Sequence, residues 1–252
     1  MTTLKTKQEM KALILAAGRG RRFGVVSEGL NKCMLEVNGK PLIEYSLQAG
    51  AELNRIEQIV VVVGYRADEI IDRYGNAYQG KEIVYVRQDR QEGLVQAIER
   101  AHPALGKSDF MLMLGDEFMS GPRHQEFITE FEKGSSFALC GAVLVKDASL
   151  IKKTYAMITL EDGRIARLIE KPNNPVFNNM MGTGNCVFNN GVFDYIPKTP
   201  INQNRKEKEL PDLIQCLIDD GQIVRPFVIC NEYVNVNNPD EFDKTRSYFA
   251  HL

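Results

Sequence analysis

One stretch, Lys11–Pro41, constrains the fold of this chain more than any other. An apolar run of strand length, Leu13 to Ala17, opens directly into a loop that carries Gly18, Gly20 and Gly24. Glycine lets the backbone approach a ligand and take up φ > 0, so successive N–H groups can converge on anionic oxygens. Arg19, Arg21 and Arg22 add cations, and Lys32 follows at the end of the same loop. Exposed amides paired with cations build a polyphosphate site. The cluster sits at the end of the first strand, where open α/β sheets hold their ligands, and this favours a phosphate site over a solvated basic loop.

Downstream of that loop, strand-like and helix-period segments alternate. Met34 to Val37 reads as a short strand, and Pro41 starts a helix to about Asn54, proline being favoured at a first helical position. Ile59 to Val63 is a β-branched run suited to a strand buried on both faces. Ala67–Tyr74 and Leu94–Ala101 read as helices, Ile83–Val86 and Phe110–Leu114 as strands. Such alternation implies right-handed βαβ units and a mostly parallel sheet. From Phe137 the pattern changes. Phe137–Val145 is a long strand, and Thr154–Leu160 and Arg164–Ile169 flank Asp162-Gly163 as a hairpin. Gly182–Phe188, Ile223–Val228 and Glu232–Val236 read as strands, Glu207–Asp219 and Pro239 to about Tyr248 as helices. The expectation is a flexible tail over residues 1–10 and one integrated domain over 11–252. Its nucleotide-binding half covers 11–135 and its acceptor half 136–252.

Composition excludes several classes of function. A net charge of −2 gives no bulk attraction to nucleic acid, so a local basic loop points to a small anionic ligand. The longest apolar run, Ile59–Val63, is too short to span a bilayer, and the polar N-terminus is no secretory signal. Five scattered cysteines without a CxxC pair, and three histidines without ligand spacing, point to a reduced, cytoplasmic protein with no structural zinc. The glycines run GxGxxxG, not the dinucleotide GxGxxG, and the loop continues well past Gly24, which leaves NAD(P) binding as an alternative only.

LILAAGRGRR followed by NKCMLEVNGKPLIEYSL resembles the signature of the sugar-1-phosphate nucleotidylyltransferases, the glucose-1-phosphate thymidylyltransferase branch most of all. The resemblance implies an α/β, Rossmann-like nucleotidyltransferase fold, glycosyltransferase-A-like, with a mostly parallel mixed sheet flanked by helices. It places Leu15, Ala16, Ala17, Gly18 and Gly20 on the nucleotide, and Arg22 and Lys32 at the departing pyrophosphate. Asn31 stands where the family usually has proline. YVRQDRQEGLVQA supplies Gln88, whose amide can read a pyrimidine edge, and Gly93, against which a base can lie; by similarity this favours thymine or uracil. In MLMLGDEF, Asp116 follows a buried strand, where a carboxylate suits Mg²⁺, and the family has a metal ligand there.

The Glu170-Lys171-Pro172 run resembles the motif that holds the sugar hydroxyls and phosphate, so Glu170 would accept from hydroxyls and Lys171 would orient the nucleophile. GTGN, with Gly184 and Asn185, resembles the sugar-pocket strand, and Tyr155-Ala156 stands where relatives usually have Tyr-Gly, with one extra methyl. EYVNVNNPDEF resembles the closing WxDxxTPED segment, with Tyr233 for tryptophan and Asn235 for the aspartate that is the second metal ligand. The implied reaction joins dTTP or UTP to a sugar 1-phosphate with Mg²⁺, in a protein that forms a homo-oligomer in many relatives. Two alternatives stand beside it. One is a cytidylyltransferase for a polyol, phosphocholine or phosphonate acceptor; the other is a non-catalytic nucleotide-sugar-binding regulatory subunit.

Overall fold

The computed structural model describes residues 8–20, 30–173, 179–203 and 205–249 of the 252. Among them the chain forms β1 (Met10–Ala16), β2 (Glu36–Val37), β3 (Lys40–Pro41), α1 (Leu42–Glu52), β4 (Ile56–Val63), α2 (Ala67–Tyr74) and β5 (Ala77–Tyr78). There follow β6 (Lys81–Arg87), α3 (Leu94–Leu105), β7 (Asp109–Leu114), β8 (Glu117–Ser120), α4 (His124–Phe131) and β9 (Ala138–Leu144). The last third holds β10 (Tyr155–Thr159), β11 (Ile165–Glu170), β12 (Met180–Phe188), α5 (Leu210–Asp219), β13 (Val224–Val228), β14 (Glu232–Asn235) and α6 (Pro239–Phe249). None of the described helices is long and apolar enough to cross a membrane.

The main sheet runs β11-β10-β12-β7-β1-β4-β6-β5, with β9 along the other side of β12 and β13 beyond it. β7, β1, β4 and β6 are parallel, and β12 joins β7 antiparallel. Strands from both halves of the chain therefore share one mixed sheet around a parallel centre. Alternation along β1 explains why both faces are covered. Ala12, Ile14 and Ala16 enter the core beneath α1, α2 and α4, while Leu13, Leu15 and Ala17 enter the core beneath α3 and α5. Burying each large side chain stabilises the fold by roughly 1.5–3 kcal/mol, so such two-sided strands anchor the sheet.

Several boundaries differ from the sequence expectation. Met34–Val37 is not one strand. Lys32–Met34 forms a 3-10 turn capped by the Asn31 side chain, and only Glu36–Val37 pairs, with Lys40–Pro41. Pro41 closes that hairpin and caps α1 from outside, so the helix begins one residue later, at Leu42. The helix expected from Glu207 starts at Leu210, since Glu207–Glu209 is drawn into ion pairs with Arg205. The short strands β5 and β8 and the helix α4 had no expectation.

One irregularity matters for the site. Between Gly182 and Cys186 of β12 the partner strand advances only from Ala142 to Cys140, so β12 carries two surplus residues there. This bulge releases Thr183–Asn185 from the ladder.

Candidate active site

Parallel pairing sets the ends of β1 and β7 side by side, with the Gly115 N–H donating to the Leu15 carbonyl at 2.9 Å. The Gly18 loop and Asp116 therefore share one edge of the sheet. A cleft of about 390 Å³ opens there on the α3/α5 side. Leu15, Ala17, Gly18, Gln88, Gly93, Asp116, Tyr155, Glu170, Lys171, Gly184 and Asn235 all line it. Gly20 and Lys32 line its continuation, a wider mouth of about 690 Å³ that also receives Arg19, Arg90 and Arg205. The mouth is the cationic end, suited to a polyphosphate.

A Cβ at Gly18 would meet nothing within 4 Å, so that backbone faces open space. Gly20 has φ +61, the left-handed region where glycine is favoured, and packs on the Lys32 side chain. Asn31 answers for the missing proline. It is fully buried; its Nδ2 donates to the carbonyls of Ala16 (3.2 Å) and Tyr65 (2.7 Å), its Oδ1 caps the Cys33 N–H, and its own N–H donates to Glu69. The turn that aims Lys32 is thus fixed by hydrogen bonds in place of a ring. Lys32 is ion-paired with Asp116, and its Nζ donates to Asn237 Oδ1 at 3.2 Å.

Gln88 is buried at the end of the cleft, where its Nε2 donates to the Gly93 carbonyl and to Gln96 Oε1. A backbone carbonyl only accepts, so the amide's orientation is set by Gly93. Gly93 itself has φ +99, and a Cβ there would lie 2.8 Å from Glu207. At the other end, Lys171 holds a left-handed φ of 42°, a strained state for a non-glycine residue, and its Nζ donates to Glu170 at 2.8 Å. Arg205 lies between the two ends, bonded to Glu209 at 2.9 Å.

Three of the expected residues take places of their own. Asn185 does not face the cleft. Its Nδ2 donates to Glu117 at 2.8 Å, its Oδ1 meets His124 Nε2 at 3.1 Å, and it lines a separate cavity of about 440 Å³ on the α1/α4 side. The surplus residues in β12 turn Asn185 through the sheet while leaving Thr183 and Gly184 in front. Ala16 is not among the residues that line the cleft, and its methyl lies in the core on the other face of the sheet. Tyr155 forms floor more than contact surface: it is buried, its hydroxyl donates to the Thr183 carbonyl, and its ring occupies the space above Gly182. Its neighbour Ala156 points into the opposite core, so its methyl does not narrow the cleft. Arg22 and Gly24 lie outside the described residues.

Sequence reasoning missed Glu117, Asn237 and Arg205. Glu117 is 4% exposed and receives Gly184 N–H (2.9 Å), Asn185 Nδ2 and the Tyr233 hydroxyl. Burial pushes its pKa up to about 8, against the pull of those donors. The Asn235 side chain lies two residues along β14 from Tyr233, and its Oδ1 accepts from Asn237 Nδ2 at 2.7 Å. Two polar runs therefore meet along β14, one from Lys32 through Asn237 to Asn235 and one from Tyr233 to Glu117. The only signal for Glu117 was its place beside Asp116; Arg205 sits in NQNRKEKE, which reads as a solvated loop.

Similarity to known proteins gives the family. The chain is 31% identical over 235 residues to the UTP–glucose-1-phosphate uridylyltransferase of Haloferax volcanii, covering 93% of this chain and 94% of that one. It is 30% identical to the glucose-1-phosphate thymidylyltransferase of Streptomyces griseus, over 91% of this chain but only 63% of the relative. The fold matches the crystal structure of UDP-glucose pyrophosphorylase complexed with UDP-glucose with a TM-score of 0.81, at 20% identity and over 96% and 98% of the two chains. Residues 11–232 match the model of the nucleotidyl transferase family, and the chain belongs to that family.

Proposed function

We propose that the protein is a sugar-1-phosphate nucleotidylyltransferase: nucleoside triphosphate + sugar 1-phosphate → nucleoside-diphosphate sugar + pyrophosphate, with UTP or dTTP as donor. The observation that carries this reading is a single cleft with two differently equipped ends. The Gly18–Gly20 backbone, Arg19 and Lys32 stand at one end, with Glu170, Lys171 and Gly184 at the other and Asp116 between them. The names of the two relatives agree with it.

The sugar phosphate oxygen attacks the α-phosphorus, the new P–O bond forms, and the α–β bridge breaks to release pyrophosphate. No protein nucleophile is needed, because positioning and charge neutralisation carry most of such a transfer. Lys171 neutralises and aims the attacking phosphate, while Glu170 accepts from sugar hydroxyls. Lys32 and the mouth arginines stabilise the departing pyrophosphate. Asp116 and Asn235 fit Mg²⁺ in their donor chemistry, one carboxylate and one amide oxygen, both hard. Among the described residues no group of three or more His, Cys, Asp or Glu could hold a metal ion by itself, so triphosphate and water would complete the shell. When bound, the ion offsets phosphate charge. Free, buried cysteines at four of five positions suit the reducing cytoplasm, where these substrates occur.

Pyrophosphate release with Mg²⁺ tests this across five nucleoside triphosphates and a panel of sugar 1-phosphates, polyol phosphates, phosphocholine and phosphonates. Release with UTP or dTTP and a sugar 1-phosphate is expected. Release with CTP and a non-sugar acceptor would replace the reading, and tight nucleotide-sugar binding without release would mark a regulatory subunit.

A further inference from the structure

β8 and β14 form a two-stranded sheet of their own, joined by four residue pairs, outside the main sheet. A two-stranded ribbon is marginal alone and needs something to hold it. Asp116 immediately precedes β8, and Asn235 ends β14, so both residues that would hold Mg²⁺ in the proposed function are borne by the small sheet. The acceptor wall, Thr183–Gly184, belongs to β12 of the main sheet. Among the described residues no strand pairing joins the ribbon to Thr183–Gly184, which the bulge leaves out of the β12–β9 ladder.

We infer that Glu117 is the positioning residue that moors the β8–β14 ribbon to the acceptor wall, and that its loss displaces sugar binding without unmaking the fold. This deepens the proposed function and rests on it for the identity of the acceptor. One oxygen, Oε1, accepts the released Gly184 N–H at 2.9 Å and the Tyr233 hydroxyl. The other, Oε2, accepts Asn185 Nδ2 at 2.8 Å. One carboxylate thus collects three donors from β12 and β14. The side chain is only 4% exposed although it stands between the cleft and the α1/α4 cavity, so it is the partition that these donors share. The fit is close: a Cβ on Gly184 would lie 2.4 Å from Oε1.

The same geometry predicts which substitution is tolerated. Asn185 faces an acceptor with its Nδ2, so its Oδ1 faces His124, whose Nε2 then carries the proton. Glu117→Gln keeps Oε1 for Gly184 and Tyr233 and turns an NH₂ toward Asn185. One flip of Asn185 and the other His124 tautomer restore every contact. Glu117→Ala restores none.

The test combines steady-state kinetics, nucleotide-binding titration and hydrogen–deuterium exchange on the full chain. For Glu117→Ala we expect the sugar 1-phosphate kcat/KM to fall by ~100-fold, as misplacement by an ångström can cause. Nucleotide affinity should hold, and exchange should quicken over 180–188 and 232–235 while β1 and β4 stay protected. Glu117→Gln should recover to within about tenfold. Tyr233→Phe should quicken exchange over 232–235 alone. Unchanged kinetics in Glu117→Ala, exchange rising across the whole sheet, or Glu117→Gln as damaged as Glu117→Ala would each overturn the inference. If the wild type releases pyrophosphate with no substrate pair, the proposed function fails instead, and the exchange pattern still decides whether Glu117 moors the ribbon.

Discussion

Replacing Asn31 by proline would give this chain the residue its family usually has there, and the structure says the protein would be harmed. Proline suits the backbone, since Asn31 sits at φ −70°, ψ 130°. The ring is therefore not the problem, and the change isolates the hydrogen bonds. The substitution removes the N–H that donates to Glu69 Oε2 at 2.7 Å, a charge-assisted bond of about 1.5–3 kcal/mol. It also removes both Nδ2 donors to the Ala16 and Tyr65 carbonyls, about 1 kcal/mol each, and the cap on Cys33, about another 1 kcal/mol. Stiffening the unfolded chain returns roughly 0.4–1 kcal/mol. The net loss is about 4 kcal/mol, or ~8–16 °C in Tm at the 2–4 °C per kcal/mol expected for a chain of this size. Urea unfolding of Asn31→Pro should show a lower midpoint at unchanged slope. The KM for nucleoside triphosphate should rise with it, since the turn aims Lys32. A variant within ~1 kcal/mol of wild type would show that these bonds do not hold the loop and would refute the reasoning.

Lys32→Ala and Asp116→Ala should each lower turnover by ~100- to 1000-fold with a cooperative melt retained, read from pyrophosphate release and circular dichroism; wild-type rates in either would remove it from the machinery. Gln88→Leu should raise the KM for UTP or dTTP by about tenfold and leave the sugar KM alone, since the amide is fixed by Gly93 at the base end of the cleft. Burial holds the His124 pKa below the ordinary histidine value. The unfolded chain therefore takes up a proton near pH 6.5 that the folded one refuses, and stability present above about pH 6.5 is lost as the pH falls. Melting His124→Gln and wild type between about pH 7.5 and 5 should show the shallower slope in the variant.

The parallel centre was legible because its strands are buried on both faces and so read as unbroken apolar runs, as in IVVVV of β4. The cleft was legible where chemistry needs residue types at fixed places: Gly18, Lys32, Asp116, Lys171. What escaped depends on geometry that no local pattern carries. Met34–Val37 has strand composition, yet the Asn31 side chain reaches back to Ala16 and Tyr65 and winds its start into a turn. Asn185 follows the glycine motif, yet two surplus residues across from β9 send it to the far face. Glu117 is an ordinary acidic residue in sequence and becomes a hub only when Gly184 and Tyr233 arrive from residues far along the chain.

The bulge in β12 also marks where acceptor preference can be rewritten. Pairing with β9 is already out of step between Gly182 and Cys186, so the ladders on either side do not depend on the number of residues between them. Changing the length or side chains of Thr183–Asn185 reshapes the wall against which the acceptor rests. The parallel strands that present the triphosphate end keep their register, but Gly184 and Asn185 hold Glu117, so changes that seek a different sugar belong at Thr183 with those two left as they are.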